Sequence, residues 1–300
     1  RDELTRALAR VSATEAEEAI RAEGGVAAAL RSRAQWLASP MGQAEAAEPW
    51  IRFSPGELDQ RVLRLEDLRV LDFTRVIAGP VATKFLAALG ADVLRVDPPQ
   101  NPELLEQHLD VNAGKRVARA DLTDSETLAQ IHALAADADI VVLGYRPGAL
   151  ARFGLDPETL HARHPHLAIV HLDAWGDTGP WAQQRGFDSI VQSACGIGLS
   201  YSKPDGSPGA LPVQALDYAT GFGAAAAALA LLRRGGVAHL SLARTATELY
   251  ALDKPTGEPV DLPVPMHVIA TPHSTITAVN PITGPPRAPG RYGAASLEWR

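Results

Sequence analysis

The chain has a single cysteine in 300 residues, Cys195, so no internal disulfide can form and the fold must hold without covalent staples. No apolar run approaches the ~20 residues that a membrane span requires. No basic segment followed by an apolar stretch opens the chain, so no secretory leader is read there. Aromatic residues are scarce at 5%, and the core has to be assembled from alanine, leucine and valine through close packing. Basic residues are outnumbered, 28 Lys and Arg against 35 Asp and Glu, which gives a net charge of −7. That balance argues against a general nucleic-acid binder and against a protein held on anionic lipid, both of which need a basic face. A soluble, cytoplasmic enzyme is the expectation. Residue 1 is arginine, and it is read as an internal residue of a longer product.

What is present begins most clearly at Arg69. Val70, Leu71 and Phe73 form a buried strand ending in Thr74 and Arg75, and Ala78-Gly79-Pro80 turns the chain into a helix that Gly90 stops. Ala91 to Val96 is a second apolar strand, closed by Asp97-Pro98-Pro99. Strand, helix and parallel strand make a right-handed crossover unit. Further strands are expected at 116–122, 139–145, 167–174 and 237–242, and helices at 125–136, 157–164, 187–197, 217–234 and 243–252. Such alternation means an α/β fold with a doubly wound parallel, Rossmann-like sheet, accompanied by a smaller second domain. Residues 1–48 read as a helical segment, with a capping-box pattern at Thr14 and Glu17, and 49–68 as a polar linker. From Pro255 onward, alternating Val268, Ala270, Thr275 and Thr277 suggest short strands.

The wording of the crossover unit resembles the opening of the family III CoA-transferases, also called the CaiB/BaiF family. Members carry V-L-D-(L/F)-T-x-V-x-(A/S)-G-P and then L-G-A-D-V-(I/L)-(K/R)-(V/I)-(E/D)-x-P. This chain reads Val70-Leu71-Asp72-Phe73-Thr74-Arg75-Val76-Ile77-Ala78-Gly79-Pro80 and Leu89-Gly90-Ala91-Asp92-Val93-Leu94-Arg95-Val96-Asp97-Pro98-Pro99, in the same order and spacing. The resemblance covers about residues 69–252. Residues 1–48 resemble a segment that in the family follows the small domain, which implies the C-terminal part of a tandem, fused or rearranged member. The domain expectation is therefore an N-terminal helical segment (1–48), a linker (49–68), a CoA-binding domain (69–200) and, over 201–300, the helix with the candidate nucleophile followed by a small domain or tail.

Asp217 is the candidate catalytic residue. Read from the residues alone, Gln214-Ala215-Leu216-Asp217 stands before an alanine-rich helix, where a carboxylate serves as N-cap. The family implies more: an aspartate at this place attacks an acyl-CoA carbonyl to give an aspartyl anhydride, CoA returns to form an aspartyl-CoA thioester, and an acceptor acid takes the CoA. The implied ligands are coenzyme A, as acyl-CoA, and a small carboxylic acid, with no metal. The implied partner is a second copy in an interlocked dimer, or a homologous half. Gly186-Phe187-Asp188 matches the family's G-(F/Y/H)-D, and Phe187 stands where the racemase branch has a proton-moving histidine. That favours transfer over α-methylacyl-CoA racemisation. Asp188 is read as a second helix cap or a ligand contact.

The candidates for CoA phosphates are Arg146 and Gly148 in Gly144-Tyr145-Arg146-Pro147-Gly148, Lys115 and Arg116 in Gly114-Lys115-Arg116, and, more weakly, Arg75 and Arg95. Each has the alternative of an ordinary surface charge. Two family features are missing: Gln100 to Ala113 lacks the G-D-x-x-R phrase, and no glycine-rich loop is recognisable after Leu252. A CoA-dependent racemase or isomerase and a non-catalytic CoA-binding half of a fused or heteromeric assembly are the rival readings. His161, His164 and His166 lack a completed ligand set for a metal, and Cys195 reads as a packing residue.

Overall fold

The computed structural model describes residues 2–56, 64–253, 263–279, 284 and 287–300. Linker residues 57–63 and tail residues 254–262 lie outside the described residues. In chain order the elements are α1 (Asp2–Leu8), α2 (Ala13–Ala22), α3 (Arg33–Ala38), α4 (Pro40–Ala46), β1 (Arg52–Pro55), β2 (Arg69–Phe73), α5 (Ala78–Ala88), β3 (Asp92–Asp97) and α6 (Leu105–Val111). They continue with β4 (Arg116–Arg119), α7 (Ser125–Ala136), β5 (Ile140–Leu143), α8 (Pro157–Arg163), β6 (Ala168–Asp173), α9 (Asp188–Ala194) and α10 (Ile197–Ser200). The last are α11 (Ala215–Leu231), β7 (Gly236–Ser241), α12 (Leu242–Ala251), β8 (Met266–Ala270) and β9 (Thr275–Val279).

The chain divides into two compact units, each drawn from segments separated in sequence: Arg1–Arg52 with Asp173–Ala219 and Leu240–Leu252, and Phe53–Leu172 with Thr220–His239 and Asp253–Arg300. The sequence expectation used consecutive blocks with boundaries at 48, 68 and 200.

In the first unit, scarce aromatics are concentrated. Trp36 and Trp175 are fully buried, and the Trp175 and Trp181 rings meet edge to face at 4.8 Å between centroids. The Arg21 guanidinium lies 3.7 Å from the centre of the Trp181 ring, a cation–π contact. Glu45, almost wholly buried on α4, accepts a hydrogen bond from the Ser241 hydroxyl at 2.6 Å, which ties the N-terminal helices to the start of α12.

The second unit carries the seven-stranded sheet, ordered β1-β7-β6-β5-β2-β3-β4. The pairs β2–β3, β2–β5, β3–β4 and β5–β6 are parallel, with Val70 opposite both Val93 and Ile140. Strands built almost wholly from buried apolar residues, such as Ile140-Val141-Val142-Leu143, are what a sheet covered on both faces demands. The order steps outward from β2 through β3 to β4 on one side, and through β5 to β6 and β7 on the other, so the direction reverses between β2 and β5. In such sheets the crevice beyond the strands' C-terminal ends at that reversal receives ligands. β1 was not foreseen, because Arg52-Phe53-Ser54-Pro55 is short and proline-ended and pairs at the sheet's edge. The helix α6 was also missed; it lies within Gln100 to Ala113, a stretch noted only for lacking the G-D-x-x-R phrase.

Beneath the crevice lies a buried polar network. Asp72 is wholly buried; its Oδ1 accepts the Thr74 backbone N–H (2.9 Å) and hydroxyl (2.5 Å), and its Oδ2 accepts the Thr83 hydroxyl (2.5 Å) and Lys115 Nζ (3.1 Å). Lys115 also donates to the Pro80 carbonyl at 2.9 Å. Burial pushes the Lys115 amine down to about 8, against the opposing pull of Asp72. Arg95, fully buried, is held by Asp97 (3.0 Å), Asn112 (3.2 Å) and Glu103 (2.8 Å). Burial acts to lower its pKa, but the carboxylates of Asp72, Asp97 and Glu103 outweigh it and hold Arg95 above the ordinary arginine value.

Removing one member of a buried, hydrogen-bonded ion pair strands the other charge, so Lys115→Ala is expected to lower unfolding free energy by about 3–5 kcal/mol. Urea denaturation checks this; a variant as stable as the parent would show that Asp72 is adequately held by its hydroxyl donors alone.

Candidate active site

Asp217 is the third residue of α11 and is buried, with 6% of its surface exposed. It does not cap the helix, as its place in the sequence suggested. Asp188, the first residue of α9, does that work from outside: its Oδ2 accepts the Asp217 backbone N–H at 3.0 Å, and the Leu216 N–H also supports its charge. A helix N-terminus leaves several backbone donors unpaired, and a carboxylate from another element is a good substitute for a local cap. Asp188 is itself fixed by the Gln192 side-chain amide, and the Gln192 carbonyl accepts the Leu211 N–H at 2.9 Å.

The consequence for Asp217 is that its carboxylate is left without a hydrogen-bond partner among the described residues, beside a second carboxylate. Burial first, and then the Asp188 charge, push it up to about 7. Burial also raises Asp188, offset by the N–H groups of Asp217 and Leu216 and by Gln192. Two neighbouring acids thus have opposite surroundings, one surrounded by donors and one bare. This is the pattern by which a carboxylate is kept reactive near neutral pH. Phe187 precedes the pair with its ring about half exposed.

Four residues past Asp217, Gly221 has a steric reason. A Cβ there would meet the Ala78 carbonyl oxygen at 2.5 Å and Val81 at 2.9 Å, so only glycine lets α11 close onto the start of α5 within the second unit. Gly79 is explained in the same way, since a Cβ would strike the Thr74 side chain at 2.4 Å. Val76, in the turn between β2 and α5, adopts φ +67°, a conformation rare for a β-branched residue and costing about 1–3 kcal/mol.

At the C-terminal ends of β2, β3 and β4 the second unit has a cleft of about 300 Å³. Phe73, Tyr145, Leu150 and Phe153 give it apolar walls, and Asp97, Asp121, Gln100 and Arg152 give polar ones. Of the basic candidates, Arg146 follows β5 and is exposed, with no side-chain partner among the described residues, and Gly148 beside it turns with φ +77° in open space. Arg75 donates to the Asn101 and Pro102 carbonyls at 2.5 and 3.3 Å and lies 3.7 Å from Glu103. Arg95 and Lys115 are spent inside the buried network. Arg116 is locked on Asp92 through two bonds of 2.9 and 2.7 Å, at the N-terminal end of β4. Lys115 and Arg116 therefore stand at the opposite end of the strands from Arg146; the sequence expectation had grouped all three at one edge. The aromatic wall was not foreseen, because Phe73 at the end of β2 meets Tyr145 and Phe153 from the connection after β5, more than 70 residues on.

The profile of CoA-transferase family III matches residues 65–253. Over 192 residues the chain is 36% identical to a protein of Mycobacterium tuberculosis named probable fatty acyl-CoA transferase Rv3272, covering 59% of this chain and 49% of that one. It is 32% identical over 209 residues to the succinate–glutarate CoA-transferase of Agrobacterium fabrum, covering 62% and 52%. The crystal structure of Rv3272 superposes with a TM-score of 0.58 at 33% identity over 66% of this chain and 58% of that one. A CaiB/BaiF family protein from Brucella suis gives 0.56 at 26% identity, covering 70% and 64%. The chain spans about half the length of the curated relatives it matches. No helix among the described residues is long and apolar enough to cross a membrane.

The raised Asp217 pKa carries a stability signature. Below the ordinary carboxylate value of 3.8 the group is neutral in folded and unfolded chains alike; between there and about 7 only the folded chain keeps the proton, so its contribution is lost as pH rises through about 7. Asp217→Asn, permanently neutral, is expected to be more stable than the parent at pH 8 by roughly 2–4 kcal/mol, with the difference shrinking toward pH 4. Thermal unfolding of the two proteins across that range checks it. A pH-independent difference would mean that Asp217 is not desolvated.

Proposed function

The chain belongs to CoA-transferase family III, and on that premise we propose that it moves coenzyme A between an acyl-CoA and a carboxylic acid, with Asp217 as the nucleophile. The observation that carries this reading is the buried Asp217 carboxylate, without a hydrogen-bond partner among the described residues and poised near neutral pH at the start of a long helix. A carboxylate stripped of donors keeps its electron pair available to a carbonyl carbon, where a well-solvated one would not. Attack on the thioester expels CoA thiolate and forms an aspartyl-acyl anhydride. The thiolate then adds to the aspartyl carbonyl, releasing the donor acid and leaving an aspartyl-CoA thioester. The acceptor carboxylate attacks that thioester, and the same two exchanges run backwards to yield the new acyl-CoA and free Asp217. Asp188 holds the Asp217 backbone in place and favours its neutral form between turnovers.

For coenzyme A, the proposal uses the cleft at the C-terminal ends of β2, β3 and β4, with the adenine against Phe73, Tyr145 and Phe153. Arg146 is the basic group proposed for the phosphates, supported by its exposure and its lack of a partner among the described residues. Arg75 is a secondary candidate; Arg95, Lys115 and Arg116 drop out because their donors are already engaged. Phe187 cannot move a proton, which disfavours the racemase reading. A second reading is a non-catalytic CoA-binding half that acts with another segment or subunit, motivated by the missing G-D-x-x-R phrase in Gln100 to Ala113. An interlocked second copy or a homologous half would complete such an assembly.

Intact-protein mass spectrometry after incubation with a panel of acyl-CoAs is expected to show an acyl or CoA adduct on the parent and none on Asp217→Ala. The rate of adduct formation is expected to rise with pH through about 7, as the carboxylate ionises. Adduct on the alanine variant would remove Asp217 from the mechanism, and no adduct on the parent would favour the half-site reading. Calorimetry should find CoA binding about ten- to a hundredfold weaker in Arg146→Ala, the usual effect of losing a charge-assisted contact.

A further inference from the structure

The second unit holds a larger cavity, of about 510 Å³, at the opposite end of β4. It touches Gly114 to Val117, before and at the start of that strand, whereas the cleft proposed for CoA touches Ala120 to Thr123 beyond its end. Its outer wall is the chain segment from Arg287 to Arg300. This segment is seated on the sheet edge by the Ala295 N–H to the Val117 carbonyl (3.0 Å), the Tyr292 hydroxyl to Asp97 (2.8 Å) and the Trp299 indole N–H to the Leu134 carbonyl (3.2 Å).

Among the described residues, four arginines line this cavity, Arg116, Arg287, Arg291 and Arg300, against one carboxylate side chain, that of Glu298. The whole chain has the reverse balance, 28 basic to 35 acidic residues, so the local excess is not a reflection of composition. Arg116 is part of the frame: its Nε and Nη2 hold Asp92, and its Nη1 donates to the Glu298 carbonyl at 2.7 Å. Arg287, Arg291 and Arg300 have no side-chain hydrogen bond or ion pair among the described residues. Glu298 already accepts the Ser296 hydroxyl at 2.6 Å. Three free guanidinium groups around one concavity repel one another until an anion is shared between them, and planar forks of this kind match phosphate and carboxylate oxygens.

We infer that this cavity is a binding site for a compact polyanion carrying two or more phosphate or carboxylate groups, separate from the CoA cleft. No aromatic side chain among the described residues lines it, so these residues offer no stacking surface for a nucleotide base. Its volume falls within the range of small-molecule sites. The assignment does not depend on the role of Asp217.

The test is calorimetric titration of the 300-residue protein with pyrophosphate and, separately, with tricarballylate, at low and at high salt. One of the two is expected to bind at one site per chain and to weaken with salt, and whichever binds identifies the anionic group preferred. In Arg287→Ala/Arg291→Ala the affinity is expected to fall by about tenfold or more, with the loss repeated in Arg291→Glu alone. Both residues are exposed and unpartnered, so circular dichroism and the unfolding midpoint should be unchanged. Saturating CoA should leave the binding intact. Failure of both anions to bind, equal binding by the variants, or displacement of the anion by CoA would each overturn the inference.

Discussion

The structure of the second unit turns on one carboxylate. Asp72, at the end of the central strand β2, receives a backbone amide, two hydroxyls and an ammonium, and those donors come from the turn after β2, from α5 and from the residue before β4. A buried charge is tolerated only when its lone pairs are filled, so this side chain fixes three elements at once. The position of Thr74 that results leaves no room for a side chain at residue 79, and Gly79 with Pro80 then starts α5 at the distance that lets Pro80 present its carbonyl to Lys115. Much of the wording between Asp72 and Pro80 is thus an account of how a strand end, a turn and a helix are bolted together. The strained Val76 lies in the same turn, and a conformation that unfavourable persists where its surroundings over-determine it.

Asp217 is the counterpart. Asp72 has every lone pair occupied; Asp217 has none occupied among the described residues, and the two are buried to a similar degree. The difference lies in Asp188, which takes the backbone donors at the start of α11 that could otherwise have stabilised a charge nearby, and adds a negative charge of its own. A cap supplied by another helix therefore does two things: it ends the helix properly and it withholds stabilisation from the neighbouring acid. The cost is folding stability near neutral pH, a common condition of sites that must react.

Most of the sheet was legible in the sequence because strands such as 140–143 and 168–173 are buried runs separated by helices with caps and glycine stops, and α7 was bounded correctly at 125–136. The helix expected over 187–197 is instead two short helices, because Gly196 takes φ +96° against the backbone of Arg33, a contact that only the folded chain reveals. Asp217 was singled out, but its neighbour's part was not: nothing local tells whether Asp188 caps its own helix or one 29 residues away. The basic residues were the least legible. Sequence shows that Lys115 and Arg95 are charged, and only the fold shows that each faces carboxylates in the interior.

That last point bears on how an acidic protein handles anionic ligands. Of the six residues singled out for phosphate, those in or next to the strands, Arg95 in β3 and Lys115 and Arg116 before and at the start of β4, serve the fold, because positions in a sheet covered on both faces have little access to solvent. Of the guanidinium groups proposed for anions, Arg146 after β5 and Arg287, Arg291 and Arg300 in the 287–300 segment all lie outside the strands. At these sites the rigid elements supply the frame and the connections supply the charge. A positively charged position in such a fold is a candidate for ligand binding to the extent that no carboxylate in the core has already claimed it.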